Sequence, residues 1–412
     1  MNEDQQKVFE KVRAGCNVCI TGGAGTGKSF LVKEICGIER KKAVTAMTGA
    51  AALLINATTL HSRLSLRLGK GTPLEIAEKI SDNRRFTAYY DILELEMLLI
   101  DECSMLNDEL FDKVSRVLQI LRRNKKPFGG IQVVLVGDLY QLPPVEGKYC
   151  FQAKSWPDCK FEICELTQNM RQKDDEPFIE MLKKLRVGQC SRETLAVLKS
   201  LKDTQFPEGI EPTKLYCKNI DVDKINSEAL RKLDSQLFTF PALYTGSHEP
   251  SVKYARAANI PEQVTVCIGA QVMLTYNIEL ARGLVNGTRG IVIALDQKTV
   301  TVRLLDQREE IIPYVEIEQD DDPDVSVAFM PIRLAWAVTI HKSQGMTLDA
   351  IEIDIGPNIF SVGQAYTALS RARNLKSVRV ADVVARSFCA SEDVKEFFSS
   401  RTEQHGPYAC GW

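Results

Sequence analysis

The chain has 412 residues, 44% hydrophobic and 26% charged, with a net charge of −2. That length exceeds the ~250–300 residues at which single cores stop growing, so more than one domain is expected. No run approaches the ~18 apolar residues of a membrane span, the charged start MNEDQQKVFEKV is not a signal peptide, and the near-neutral balance confines any nucleic-acid surface to local patches.

In chain order, residues 17–21 read as a short buried strand. Gly22-Gly23-Ala24-Gly25-Thr26-Gly27-Lys28-Ser29 follows and fits the phosphate-binding pattern G-x-x-x-x-G-K-[ST]. Its glycines let successive backbone N–H groups point inward at oxygens. A helix through Leu31, Val32 and Ile35 adds the partial positive charge of its N-terminus. Lys28 is placed to reach the β/γ-phosphates, and Ser29 to hold Mg²⁺, so the segment predicts nucleotide binding. Cys16 and Cys19 form the one C-x-x-C pair among 12 cysteines and lack the second pair a zinc site needs. The cysteines read as free thiols in a reducing, intracellular compartment, with nothing to choose between nucleus, mitochondrion, bacterium or virus.

A strand over 42–46 leads into a small, hydroxyl-rich loop with Thr48, and Thr59-Leu60-His61-Ser62 has the same character. Such loops approach phosphates and sugars closely without reading bases; helix capping by Thr48 or Ser62 is the competing reading. Residues 63–92 are rich in Arg, Lys and Gly and read as a small insertion. The apolar strand over 97–100 ends in Asp101-Glu102. After a phosphate loop, the first acid serves Mg²⁺ and the second the attacking water. A helix from Asp108 to about Arg123 places Leu110, Phe111, Val114, Val117, Leu118 and Leu121 on one face. Arg122-Arg123-Asn124-Lys125-Lys126 is the main basic cluster and, with Arg63, Arg67, Lys70, Arg84 and Arg85, is a candidate strand track. The strand over 132–136 leads into Gly137-Asp138-Leu139-Tyr140-Gln141-Leu142-Pro143-Pro144, where Gln141 is a candidate γ-phosphate contact. Arg171 and Arg371 are candidate cations for the transferring phosphoryl group.

A second strand–helix series starts near Thr213 and resumes near Met330. Between them lie short β-prone runs with an Asn286-Gly287 turn, ended by the acidic run Asp320-Asp321-Asp322-Pro323-Asp324, which reads as a solvated loop. The segment 339–347 repeats the small, hydroxyl-rich character in His341, Ser343, Gln344 and Thr347.

In their order these motifs resemble superfamily 1 helicases with RecD-like cores, and most closely the petite-integration-frequency (PIF) branch. The branch-like element is Leu110-Phe111-Asp112-Lys113, Arg116, Arg122 and Pro127-Phe128-Gly129-Gly130-Ile131-Gln132. The resemblance runs from Gln5 to Arg371 and implies an α/β fold of two RecA-like domains with ATP between them. The expected division is 1–62 and 93–168 for the first domain, 63–92 for a wedge insertion, 169–268 and 330–400 for the second domain, 269–329 for an SH3-like β insertion, and 401–412 for a tail. It implies Gln5 (with Gln6 beside it) as adenine reader, and Lys28, Ser29, Asp101, Glu102, Gln141, Arg171 and Arg371 as the ATPase set, with Arg373 the neighbouring alternative to Arg371. It implies Thr48, His61, Ser62, His341, Ser343, Gln344 and Thr347 as strand contacts. The expected activity is ATP- and Mg²⁺-dependent 5′→3′ unwinding by a chain monomeric in isolation, acting on single-stranded and on 5′-tailed or structured DNA, away from membranes. The alternative is a single-strand-binding scaffold that hydrolyses ATP without separating strands.

Overall fold

The computed structural model describes the chain apart from residues 56, 67–70, 83–85, 173–174, 207–210, 218, 247, 259, 280–281, 320–321 and 406–412. Arg67, Lys70, Arg84 and Arg85 of the expected track, and most of the expected tail, lie outside the described residues. No described helix is long and apolar enough to cross a membrane, and no disulfide joins the described cysteines.

Six strands, β1 (Val18–Gly22), β2 (Lys42–Ala46), β3 (Thr58–Thr59), β4 (Met97–Asp101), β5 (Gln132–Val136) and β6 (Glu162–Leu166), form a parallel sheet in the order β3-β2-β4-β5-β1-β6. β1, β4 and β5 are buried along their whole length, as their unbroken apolar runs require in a sheet covered on both faces. Val8, Val12, Leu31, Val32 and Ile35 cover one face. Phe111, Val114, Val117, Leu118 and Leu121 of the helix Asp108–Leu121 cover the other. Asn107 starts that helix by accepting from Leu110 N at 2.7 Å.

The region expected as a separate insertion packs into this same core. Ile76, Ala77 and Ile80 of the helix Pro73–Asp82, and Ile92 of Phe86–Glu94, share one apolar cluster with Leu98 and Phe111.

The basic cluster at 122–126 has a structural role. Arg122 donates to the carbonyls of Ile92, Leu93, Leu95 and Gly129 at 2.6–3.0 Å, pinning the branch-like element to the end of the preceding helix. With Lys126 it lines a depression shared by Asn17, Glu96, Gln132 and Glu162, the residues that begin or precede β1, β4, β5 and β6. That is the edge of the sheet opposite the phosphate loop, so the cluster does not continue a track past Thr48 and Ser62.

The second parallel sheet has the order Ala337–Thr339, Thr213–Tyr216, Ile351–Ile355, Val378–Val383. The intervening β structure is wider than 269–329. A five-stranded antiparallel sheet runs Glu309–Pro313, Thr299–Leu304, Arg289–Leu295, Gln271–Leu274, Ile332–Leu334, and a second sheet runs Val315–Gln319, Asp322–Phe329, Leu243–Thr245. Asp322 therefore opens a strand, so Asp322, Pro323 and Asp324 of the acidic run lie inside this β structure rather than at its end, and Asp320 and Asp321 lie outside the described residues. The helix Glu392–His405 returns to the first domain, where Phe398 stacks on Tyr140 and Phe397 on Phe151, with centroids 5.6 and 4.2 Å apart.

Candidate active site

The phosphate loop leaves β1 with Gly25 and Gly27 at φ 83° and 82°, which a side chain would resist. Space forbids one as well: a Cβ at Gly25 would sit 2.7 Å from Arg171 Cβ, and one at Gly27 would sit 2.6 Å from Gln5 Nε2. Gln5 is buried against the loop, with its Oε1 accepting from Asn2 N, whereas Gln6 points outward to Glu10. This geometry separates the two glutamines that the sequence left adjacent. Thr26 Oγ1 donates to Gly23 O, and Lys28 Nζ donates to Gly22 O and Gly23 O at 2.7 and 2.9 Å. Ser29 is exposed at the helix start.

Asp101 ends β4 and Glu102 follows it at φ 55°, a left-handed conformation rare for a glutamate. Burial raises both carboxyls above the ordinary range, and Asp101 rises further because Glu102 is beside it. Burial lowers the Lys28 ammonium, with Asp138 and Glu102 opposing the shift. Ser29 Oγ and Asp101 are the hard oxygen donors that Mg²⁺ takes. Two adjacent carboxylates, Asp101 buried and Glu102 half-buried, are also an arrangement that a divalent cation neutralises, so the residues fit the ion.

The second domain closes the other side. Arg371, 1% exposed, donates through Nε to Thr367 O at 3.0 Å and through Nη2 to Ser370 Oγ at 2.8 Å. Its Nη2 also lies 3.5 Å from Gln141 Oε1. Arg373 instead pairs with Asp349 at 3.0 Å and is largely exposed, which separates the two arginines. Gln344 Nε2 donates to Glu102 Oε2 at 2.8 Å. Arg171 lies on the first domain's side of the cleft: Met170 N bonds Gly25 O, and the Arg171 guanidinium reaches across to Ser370 O at 3.0 Å. Residues 24–29, Glu102, Gln141, Arg171, Thr347 and Arg371 line one cavity of ≈ 320 Å³.

Three residues that sequence reasoning missed hold the two walls together. Asp138, fully buried, accepts from Arg186 Nε at 3.0 Å, from Tyr366 OH at 3.1 Å and from Gln141 Nε2 at 3.2 Å. Burial alone would raise its carboxyl; Arg186, then Lys28, outweigh burial and hold it below the ordinary range. Tyr366 OH also accepts from Ala24 N at 2.9 Å, so one hydroxyl ties the phosphate loop to Asp138. Asp138 stood inside a readable motif. Arg186 and Tyr366 lie within helices and carry no local signal.

The expected strand contacts divide. Thr48 caps the helix Gly49–Leu54 by accepting from Ala51 N. Ser62 does not cap; its N–H donates to Thr59 Oγ1. Ser343 is fully buried and its hydroxyl donates to Ile340 O within its own turn, so it offers a strand nothing. Gln344 and Thr347 face the nucleotide side. His61 and His341 are half-buried, and burial lowers both imidazoles. Thr58, Thr59 and Ser62 face Tyr254 of the helix His248–Ala257, Ala258 just beyond it and Ile317 of the β structure across a gap of only ≈ 20 Å³.

Against known proteins, residues 1–195 match the model of the PIF1-like helicase and residues 256–295 that of the DNA helicase Pif1 2B domain. The chain is 36% identical to the ATP-dependent DNA helicase PIF1 of Rattus norvegicus over 98% of its own length. The chain belongs to the PIF1-like helicase family. It spans 65% of the rat relative's length. Among solved PIF1-like structures, Bacteroides sp Pif1 in complex with ADP-AlF4 superposes with a TM-score of 0.83, at 29% identity, covering 98% of this chain and 97% of the other. Bacteroides Pif1 bound to ssDNA superposes with a TM-score of 0.72, at 30% identity, covering 98% and 97%. The two parallel sheets are thus the RecA-like pair of the PIF1-like fold.

Proposed function

We propose that this chain is an ATP- and Mg²⁺-dependent DNA helicase that moves 5′→3′ on single-stranded DNA and separates 5′-tailed or structured duplex. The observation that carries this reading is the single cavity that gathers the phosphate loop, Glu102, Gln141, Arg171 and Arg371 from two parallel-sheet domains. Backbone N–H groups of 22–29 and Lys28 hold the phosphates. Glu102, oriented by Gln344, takes the proton of the attacking water. Arg371 and Arg171 offset charge on the transferring group, a contribution worth roughly 10³–10⁵ in rate for such arginines. Bound at Ser29 and Asp101, Mg²⁺ supplies neutralisation of phosphate charge. Gln141 and Tyr366 link what happens at the γ-phosphate to the contact between domains.

The ≈ 20 Å³ gap between Ser62 and Ile317 has room for about one water, so a strand enters on Ser62 only when the β structure moves away. The lower superposition on the ssDNA-bound relative fits that movement. The test is displacement of 5′-tailed and 3′-tailed duplexes by the wild type and Lys28→Ala. The reading requires displacement from the 5′-tailed duplex alone, lost in Lys28→Ala; unwinding that survives the substitution contradicts it. ATP turnover stimulated by single-stranded DNA without displacement would favour the scaffold.

A further inference from the structure

Beside the nucleotide cavity lies a larger one of ≈ 1240 Å³, enclosed by the first turns after the phosphate loop, the β structure around 283–308 and the second domain around 345–377. The two cavities share Ser29, Phe30, Arg171, Gly345 and Thr347, so they adjoin. The larger one is basic in a chain of net charge −2: among the described residues seven Lys or Arg line it against two Asp, with Arg303 also paired to Glu309 at 3.0 Å. Both acids are engaged, Asp349 by Arg373 at 3.0 Å and Asp306 by Arg308 at 2.7 Å. Lys33 of the first domain and Lys376 of the second are exposed in its wall.

One of the seven is buried. Arg289 is 1% exposed and forms part of this wall. Its Nη1 donates to Glu211 O and Thr213 Oγ1, at 2.9 and 3.0 Å. Among the described residues, its buried Nε and Nη2 have no hydrogen-bond partner. Those two atoms are the edge of a guanidinium that binds carboxylate or phosphate bidentately. A buried guanidinium with no carboxylate bonded to it projects positive potential into the cavity.

We propose that this cavity is a phosphate-oxyanion site that receives the inorganic phosphate produced next door, a reading that rests on ATP hydrolysis at the phosphate loop. In that reaction water adds to the γ-phosphorus, the bond to the β–γ bridging oxygen breaks, and the proton passes to Glu102. ADP then still fills the loop side. The phosphate is left near Gly345 and Thr347, which line both cavities, and the field of Arg289, Lys33 and Lys376 draws it on. The same oxyanion chemistry could come from the phosphodiester of a strand, and the test separates the two sources.

The full chain is loaded with ADP and aluminium fluoride, which fill the terminal-phosphate position, and radiolabelled inorganic phosphate is measured by equilibrium dialysis. The wild type binds one phosphate per chain. Arg289→Met, and separately the exposed pair Lys33→Glu with Lys376→Glu, each weaken that binding at least about tenfold. Phosphate binding absent from the loaded wild type, or unchanged in both variants, overturns the proposal. Expulsion of the bound phosphate by oligothymidylate assigns the cavity to a strand and also overturns it. Failure of ADP with aluminium fluoride to bind at all defeats the hydrolysis reading itself and takes this proposal with it.

Discussion

The two walls of the nucleotide cavity are built in different ways. The first-domain wall is a set of strand ends: β1 runs into the phosphate loop, β4 into Asp101 and Glu102, and β5 into the segment carrying Asp138 and Gln141. Each group is placed by the backbone that precedes it. The second-domain wall is assembled from distant segments. Gln344 comes from a turn, Tyr366 and Gly363 from the start of the helix Gln364–Leu369, and Arg371 from just beyond its end. These are placed by contact with the first wall. The difference teaches that the first wall should bind phosphates by itself, whereas turnover and domain coupling depend on the second.

The largest expected effect comes from the first wall. Glu102→Gln should lower turnover by ~10²–10⁴ while ATP binding is retained, since it removes the proposed general base and leaves the loop. Steady-state hydrolysis beside a nucleotide-binding titration checks this; normal turnover would remove Glu102 from its role.

Next is the joint between walls. Asp138→Asn removes the buried partner of Arg186, which keeps Glu165 at 2.9 Å, and should cost about 1.5–3 kcal/mol of stability, read by denaturant unfolding. The sign of the pH effect follows from the lowered Asp138 carboxyl. Its stabilisation is present above the unfolded value of ~3.9 and is lost as pH falls through the folded value. The wild type therefore loses stability below about pH 4 more steeply than Asp138→Asn, and parallel acid-unfolding curves would break the joint from this account.

A smaller effect is expected at Gly363. Its φ of 71° and its position, 2.3 Å from Gln141 O for an added Cβ, make Gly363→Ala intrude on the first wall. Strain of ~1–3 kcal/mol is expected. Turnover should fall while ATP affinity holds; a matching fall in affinity would mean the walls are not separable. The smallest effect belongs to Ser343→Ala. Loss of its internal hydrogen bond costs ~0.5–1.5 kcal/mol of stability, and single-strand affinity stays within about twofold, measured by fluorescence anisotropy.

This contrast also explains what the sequence made legible. The first domain could be read because parallel strands buried on both faces are continuous apolar runs, and because chemistry placed at strand ends has fixed spacing. Arg122 was misplaced because a basic run declares its charge and not the four carbonyls it meets. Ser343 was misplaced because a hydroxyl in a small loop gives no sign of which way it turns. Arg186 and Tyr366 were missed because they meet Asp138 only through tertiary packing, across 48 and 228 residues of chain. The helices of 73–94 looked like an insertion by composition, but Ile76, Ile80 and Ile92 belong to the first core.

The central claim is that Arg371, from the second wall, acts on a nucleotide held by the first. Arg371→Ala tests it, with affinity for a non-hydrolysable ATP analogue and turnover measured on the same preparation. The account predicts affinity within about threefold of wild type and turnover lower by roughly 10³–10⁵. Turnover within tenfold of wild type, at unchanged affinity, would contradict it.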